Sequence, residues 1–80
     1  MPYDEFPQFS GYGTNEMIRI IADARLSRPD QKIALGRLVY HRQYAEIAAE
    51  LNRDRSGISR RLRQTIVPRI LEYTEQKGRG

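Results

Sequence analysis

An all-α fold, a small bundle of four to five helices, is what this sequence predicts. Apolar residues recur at intervals of three and four from Met17 to Tyr73. Ser, Thr, Asp, Asn and Pro fall where helices start and stop, and no strand-period segment, heptad array or internal repeat competes with that pattern. At 80 residues, with 39% hydrophobic residues and no Trp, the core is small and one domain is the limit.

Residues 1–13 (MPYDEFPQFSGYG) read as an aromatic-rich N-terminal arm. Pro2, Pro7, Gly11 and Gly13 interrupt any regular element there. Tyr3, Phe6, Phe9 and Tyr12 nevertheless recur every three residues, and disordered tails are usually poor in aromatics. Part of the arm is therefore expected to lie on the domain or on a partner.

Residues 14–76 form the helical domain. Thr14 is a suitable N-cap, Glu16 complements the positive end of the helix dipole, and Met17, Ile18, Ile21 and Leu26 follow at helical spacing. Ser27-Arg28-Pro29-Asp30 breaks this helix and opens a second, since Pro is tolerated in a first turn where its missing N–H has no partner. The second helix runs to about Tyr40 on Ile33, Leu35, Leu38 and Val39, with His41-Arg42 as connector. In the third, Gln43–Leu51, one face holds Tyr44, Ile47, Ala48 and Leu51, while Glu46 and Glu50 point away. Asn52-Arg53-Asp54 is a tight turn: Asn accepts the left-handed backbone that ends a helix, and Asp54 caps the next. The fourth helix starts at Arg55 and is expected to bury Ile58, Leu62, Thr65 and Ile66. At Pro68 it must end, kink or give way to a short fifth helix carrying Ile70, Leu71 and Tyr73. Residues 77–80 read as a frayed tail.

Composition removes several functional classes. There is no cysteine, hence no disulfide framework, thiolate metal site or cysteine nucleophile, and His41 is the only histidine. No Ser/His/Asp set, phosphate-cradling Gly loop or metal-ligand cluster is recognisable, so catalytic residues, metal and cofactor are not expected and neither is an enzyme. Residues 1–13 lack a basic start and an apolar run, and no apolar stretch approaches the roughly 20 residues of a membrane span. A cytoplasmic location follows as the expectation.

The net charge of +4 is unevenly placed. Residues 1–52 carry six Lys/Arg against seven Asp/Glu, whereas residues 53–80 carry eight against three. Five arginines fall between Arg53 and Arg63, with Asp54 as the one acidic residue in that stretch. Arginine presents a planar fork that matches phosphate and the O6/N7 edge of guanine, and a concentrated patch of it is an electrostatic footprint for nucleic acid.

That patch sits on the second of two short amphipathic helices joined by a three-residue turn, a helix-turn-helix over about residues 43–64. With Ile58, Leu62, Thr65 and Ile66 inward, Ser56, Arg60, Arg63 and Gln64 face outward. Such a helix fits the major groove of double-stranded DNA, and its first turns reach the bases. Arg55, Ser56 and Arg60 are the candidate base-reading residues. Arg53, Ser59, Arg61, Arg63 and Gln64 are the candidate phosphate contacts or supporting residues.

Leu26-Ser27-Arg28-Pro29, Ala34-Leu35, Tyr44-Ala45-Glu46-Ile47-Ala48-Ala49-Glu50-Leu51 and Ser56-Gly57-Ile58-Ser59-Arg60-Arg61-Leu62 together resemble region 4 of sigma-70-type factors. The similarity covers about residues 26–71, and LuxR-type output domains share much of it. It implies a compact helical bundle that reads promoter DNA in the major groove, with Arg55, Ser56 and Arg60 at the family's base-contacting positions. The chain departs from that pattern at four places. Arg53 replaces a usually apolar residue, Asp54 replaces a Ser or Thr cap, and Pro68 interrupts a helix that often continues. Gly57 loosens the reading helix by up to about 1 kcal/mol relative to Ala. Residues 1–25 leave no room for the family's −10-binding region, so the resemblance implies a reading head, not a whole sigma factor.

A lone recognition helix reads only a few base pairs, so a homodimer or a tether to RNA polymerase is expected as well. The aromatic arm and Ile70, Leu71 and Tyr73 are the candidate interfaces. The alternative reading is a protein-interaction module that docks on RNA polymerase or another regulator.

Overall fold

The computed structural model describes residues 6–79, with side chains through residue 76; Tyr3 lies outside them. Five α-helical segments follow in order: α1 (Thr14–Asp23), α2 (Arg28–Ala34), α3 (Tyr44–Leu51), α4 (Arg55–Arg61) and α5 (Val67–Arg79). No strand occurs among the described residues, and the fold is the small all-α bundle expected. No helix among them is long and apolar enough to cross a membrane.

The core takes a branched or long aliphatic side chain from each layer. Ile21 of α1, Ile33 of α2, Ile58 of α4 and Ile70 of α5 are fully buried, together with Leu62 and Ile66 between α4 and α5. Ile47 and Ala48 of α3 close the remaining side. At Gly36 the packing is tight: a Cβ there would lie 3.1 Å from Cδ1 of Ile47, so a side chain would require Ile47 to shift. Glycine lets the end of the second helix sit directly against α3.

Helix ends depart from the sequence expectation in instructive ways. Thr14 is the first residue of α1, and Gly13 takes the N-cap position with no side-chain bond. Ser27 does cap α2, its hydroxyl accepting from the Asp30 N–H at 3.4 Å, with Pro29 in the first turn. Arg25, His41 and Asn52 all adopt left-handed backbone, with φ of 59°, 54° and 54°. Each closes a helix by turning the chain out of it, and Asn52 alone has a side chain that favours this conformation.

Two widened π turns, Leu35–Val39 and Leu62–Ile66, extend α2 and α4. The second resolves the conflict at Pro68. The Val67 N–H donates to the Leu62 carbonyl five residues back, so the hydrogen-bond register shifts just before the residue that has no N–H. The ring is accommodated where the ladder is already being reset, and the helix continues through Arg79. Pro68 does not end it. The widening also rotates the buried stripe: Ile66 and Val67 point inward, and Thr65, expected in the core, is exposed. The backbone of residues 77–79 is helical where a frayed tail was expected.

The arm joins the core. Pro7–Phe9 forms one 3-10 turn, closed by Ser10 N–H to the Pro7 carbonyl, where no regular element was expected. Phe9 is buried, with the Phe6 and Tyr12 rings 6.5 and 6.4 Å from it. On the far side, the Tyr73 hydroxyl donates to Asp23 at 3.2 Å and ties α5 to α1. Ile70 is fully buried, so of the proposed C-terminal interface residues Leu71 alone is exposed.

Leu62 links α4 to the widened turn and has no solvent exposure. Leu62→Ala is expected to lower stability by about 2–5 kcal/mol, from lost burial plus the cavity left behind. Urea unfolding followed by helical circular dichroism measures this.

Candidate nucleic-acid interface

α3 packs on α4 through Ile47, Ala48 and Ile58, with a three-residue connection between them. The connection is tightly closed. The Arg53 N–H donates to the Ala48 carbonyl at 2.9 Å and the Asn52 N–H reaches Ala49 at 3.4 Å, the paired bonds of a Schellman ending. Left-handed Asn52 makes this closure possible. Asp54 then takes the N-cap position of α4 with extended backbone, but its side chain makes no capping bond and is exposed. The expected cap is present in position and absent in chemistry.

The orientation of α4 is fixed from the other side by an ion pair. Asp30, in the first turn of α2, is buried at 4% exposure. Arg61 grips it with two bonds, Nε to Oδ1 and Nη2 to Oδ2, each 2.8 Å. The hydrogen bonds from Arg61 hold the Asp30 carboxyl below its ordinary pKa against the opposing effect of burial, and Ser27 and Arg53 add to the lowering. The guanidinium of Arg61 is in turn pushed up by the carboxylate. Arg61 was expected among the phosphate contacts or supporting residues; its side chain is exposed, but its fork is engaged by the buried Asp30 carboxylate. It acts as the fastener between α2 and α4.

The remaining residues of the patch divide by exposure. Arg55, Ser56 and Arg60 are all exposed, Arg55 at the start of α4, with Ser56 and Arg60 one turn apart on one stripe. Arg63 and Gln64 are exposed in the widened turn, three and four residues beyond Arg60. Arg53 is exposed in the connection, and Ser59 is half-buried. Exposed side chains thus run from the connection, along the outward stripe of α4, into the turn beyond it.

No protein-family profile, curated protein or solved structure matches the chain. The site's chemistry therefore follows from its own residues.

α3 carries a second set of charges. Arg42 pairs with Glu50 and, at 3.7 Å, with Glu46, and these carboxylates raise its pKa. Arg37 donates to the Arg42 carbonyl at 2.9 Å and stacks over the Tyr44 ring at 4.3 Å. Tyr44 is partly buried against the core, as its place on the apolar face of α3 implied. These pairs draw Arg37 and Arg42 into the scaffold. Among the described residues no group of three or more His, Asp or Glu is close enough to hold a metal ion.

Sequence reasoning missed Asp30. An acidic residue in a first helical turn already has a local explanation in the dipole, and its partner lies 31 residues away. Its place on the inward side of α2, three residues before Ile33, was the available signal.

Two outcomes test the division between Arg61 and its neighbour. Arg61→Ala leaves a buried carboxylate without its fork and is expected to lower the melting temperature, whereas Arg60→Ala leaves it unchanged; thermal melts at neutral pH measure both. The second concerns acid. The folded Asp30 carboxyl titrates below the unfolded reference of about 3.9, so its stabilisation is complete above that value and is lost as pH falls through the folded pKa. Asp30→Asn is expected to be less stable at neutral pH and to lose this part of the acid dependence, read from urea midpoints across pH 2–6, a window about two units either side of that reference.

Proposed function

We propose that this chain binds double-stranded DNA sequence-specifically, with α3, the Asn52–Asp54 connection and α4 acting as a helix-turn-helix and α4 as its reading helix. The observation that carries this reading is the alignment of Ser56 and Arg60 on an exposed stripe of a helix that the neighbouring Arg61 ties to Asp30. A helix packed on α3 and tied to α2 presents its donors in a constrained geometry before any ligand arrives. Arg60 and Arg55 can fork onto guanine O6 and N7, and Ser56 can adapt to a neighbouring edge. Arg53, Arg63 and Gln64 are exposed before and after them in the chain and can meet phosphate, with Ser59 as a support. The arginine-rich C-terminal half supplies the sequence-independent attraction.

The role that fits such a module is a small transcriptional regulator in the cytoplasm, in line with the resemblance to sigma region 4. One reading helix covers too few base pairs for useful specificity. A second copy of the chain or a tether to RNA polymerase supplies the second grip, and Tyr40, Ile18 of α1 and Leu71 of α5 are the exposed large hydrophobic residues open to it among the described residues.

Selection of bound sequences from a random duplex pool tests the reading. A defined motif is expected, palindromic for a dimer and single for a polymerase tether. Affinity should fall steeply with salt, because each neutralised phosphate releases counterions. Arg60→Ala should erase preference at one base pair, at a scale of about 1–3 kcal/mol, while Arg63→Ala should weaken binding evenly across sequences. Absence of duplex binding at low salt would overturn the proposal.

A further inference from the structure

Gly36 and Gly57, both within helical segments, have different standing. Gly36 is explained inside the molecule, because Ile47 fills the space its side chain would need. Gly57 is not. It is the third residue of α4, its φ is negative, and a Cβ built on it would meet nothing closer than the Cβ of Asp54 at 3.8 Å, an ordinary contact. Neither backbone conformation nor internal packing requires glycine, yet glycine is the poorest helix former after proline. The residue also lies on the exposed side, directly between Ser56 and Ile58 in sequence and one turn before Arg60 and Arg61. A physical reason for glycine at this position has therefore to be sought outside the chain.

We propose that Gly57 is a specificity-determining point of closest approach, where the bound DNA duplex comes against the backbone of α4 with no room for a side chain. This rests on the DNA-binding reading and refines it. A polyanionic partner is indicated by the surroundings: Arg53, Arg55 and Arg60 are exposed around this point. With Gly57 bare, the helix sinks by the depth of a methyl group, and Ser56 and Arg60 reach base edges that they would otherwise meet at the groove's rim. The glycine thus exchanges helix stability for depth of insertion.

A size series separates this from a simple effect on helix stability. Ala and Leu have similar helix propensities but very different volumes. Gly57→Ala and Gly57→Leu should both melt higher than the parent, since the position is open in the free protein. Binding is measured by fluorescence anisotropy on the duplex selected by the parent chain. Ala is expected to weaken it roughly tenfold, the scale of a modest steric overpacking, and Leu substantially further. Unchanged affinity in both variants overturns the proposal while leaving DNA binding intact. Equal losses for Ala and Leu overturn it too, because the effect would then follow helix stiffness instead of size. A parent chain that binds no duplex at low salt removes the DNA-binding reading itself, and this proposal with it.

Discussion

A carboxylate that is almost without solvent exposure cannot remain charged unless something replaces the water it has lost. Asp30 is in that position, and the replacement is the fork of Arg61, aligned so that two nitrogens meet two oxygens. The demand is directional. An ammonium group could approach from many angles, but a guanidinium satisfies both oxygens in one plane and so fixes the relative rotation of the helices that carry the pair. The apolar core is non-directional in its driving force, and to the burial of Ile33, Ile58, Leu62 and Ile66 the Asp30–Arg61 fork adds a directional tie.

That tie acts along the continuous helical run from Arg55 to Arg79. Tying Arg61 to Asp30 constrains the faces of its neighbours, because side chains on a helix cannot be rotated independently. Ser56 and Arg60 stay exposed, as Arg61 itself largely does while its fork reaches the buried carboxylate. The widened turn at Leu62–Ile66 then absorbs the mismatch between that orientation and the stripe needed farther on. It brings Ile66, Val67 and Ile70 to the core and admits Pro68 without ending the helix. Proline here marks a change of register within one long element.

Much of the bundle was legible because its determinants are local. The left-handed ending at Asn52 follows from a short side chain that tolerates it, and the Ser27 cap with Pro29 behind it follows from the chemistry of a first turn. Thr65 and Pro68 were misjudged for one shared reason: a constant period of 3.6 residues was carried through a segment where the period lengthens. Arg25 and His41 end helices in backbone that ordinary side chains disfavour, a cost imposed by the packing of the whole and invisible in either residue. On the candidate site, exposure of Ser56, Arg60, Arg63 and Gln64 agrees with the outward face drawn from spacing. Arg61 differs because its role depends on a residue in another helix, and nothing in the run of arginines distinguishes it from the one before.

That indistinguishability has a physical consequence for recognition. A patch of five arginines on a mobile helix would attract phosphate well and discriminate poorly, since each guanidinium could pursue whichever oxygen lay nearest. Pairing one arginine with the buried Asp30 carboxylate offsets a positive charge of the patch and ties the helix that carries the others. The loss falls on the sequence-independent attraction, which depends on the number of phosphates neutralised. The gain falls on discrimination, which depends on how accurately a fork is aimed at a base edge. On the proposed DNA-binding reading, Asp54, exposed and without a side-chain capping bond at the start of α4, would act in the same direction, because a carboxylate beside a groove opposes loose phosphate contact without opposing a well-aimed guanidinium. Both residues would then lower general affinity, which on that reading favours a module whose remaining grip comes from a second copy or a tethered partner over one that must hold DNA alone.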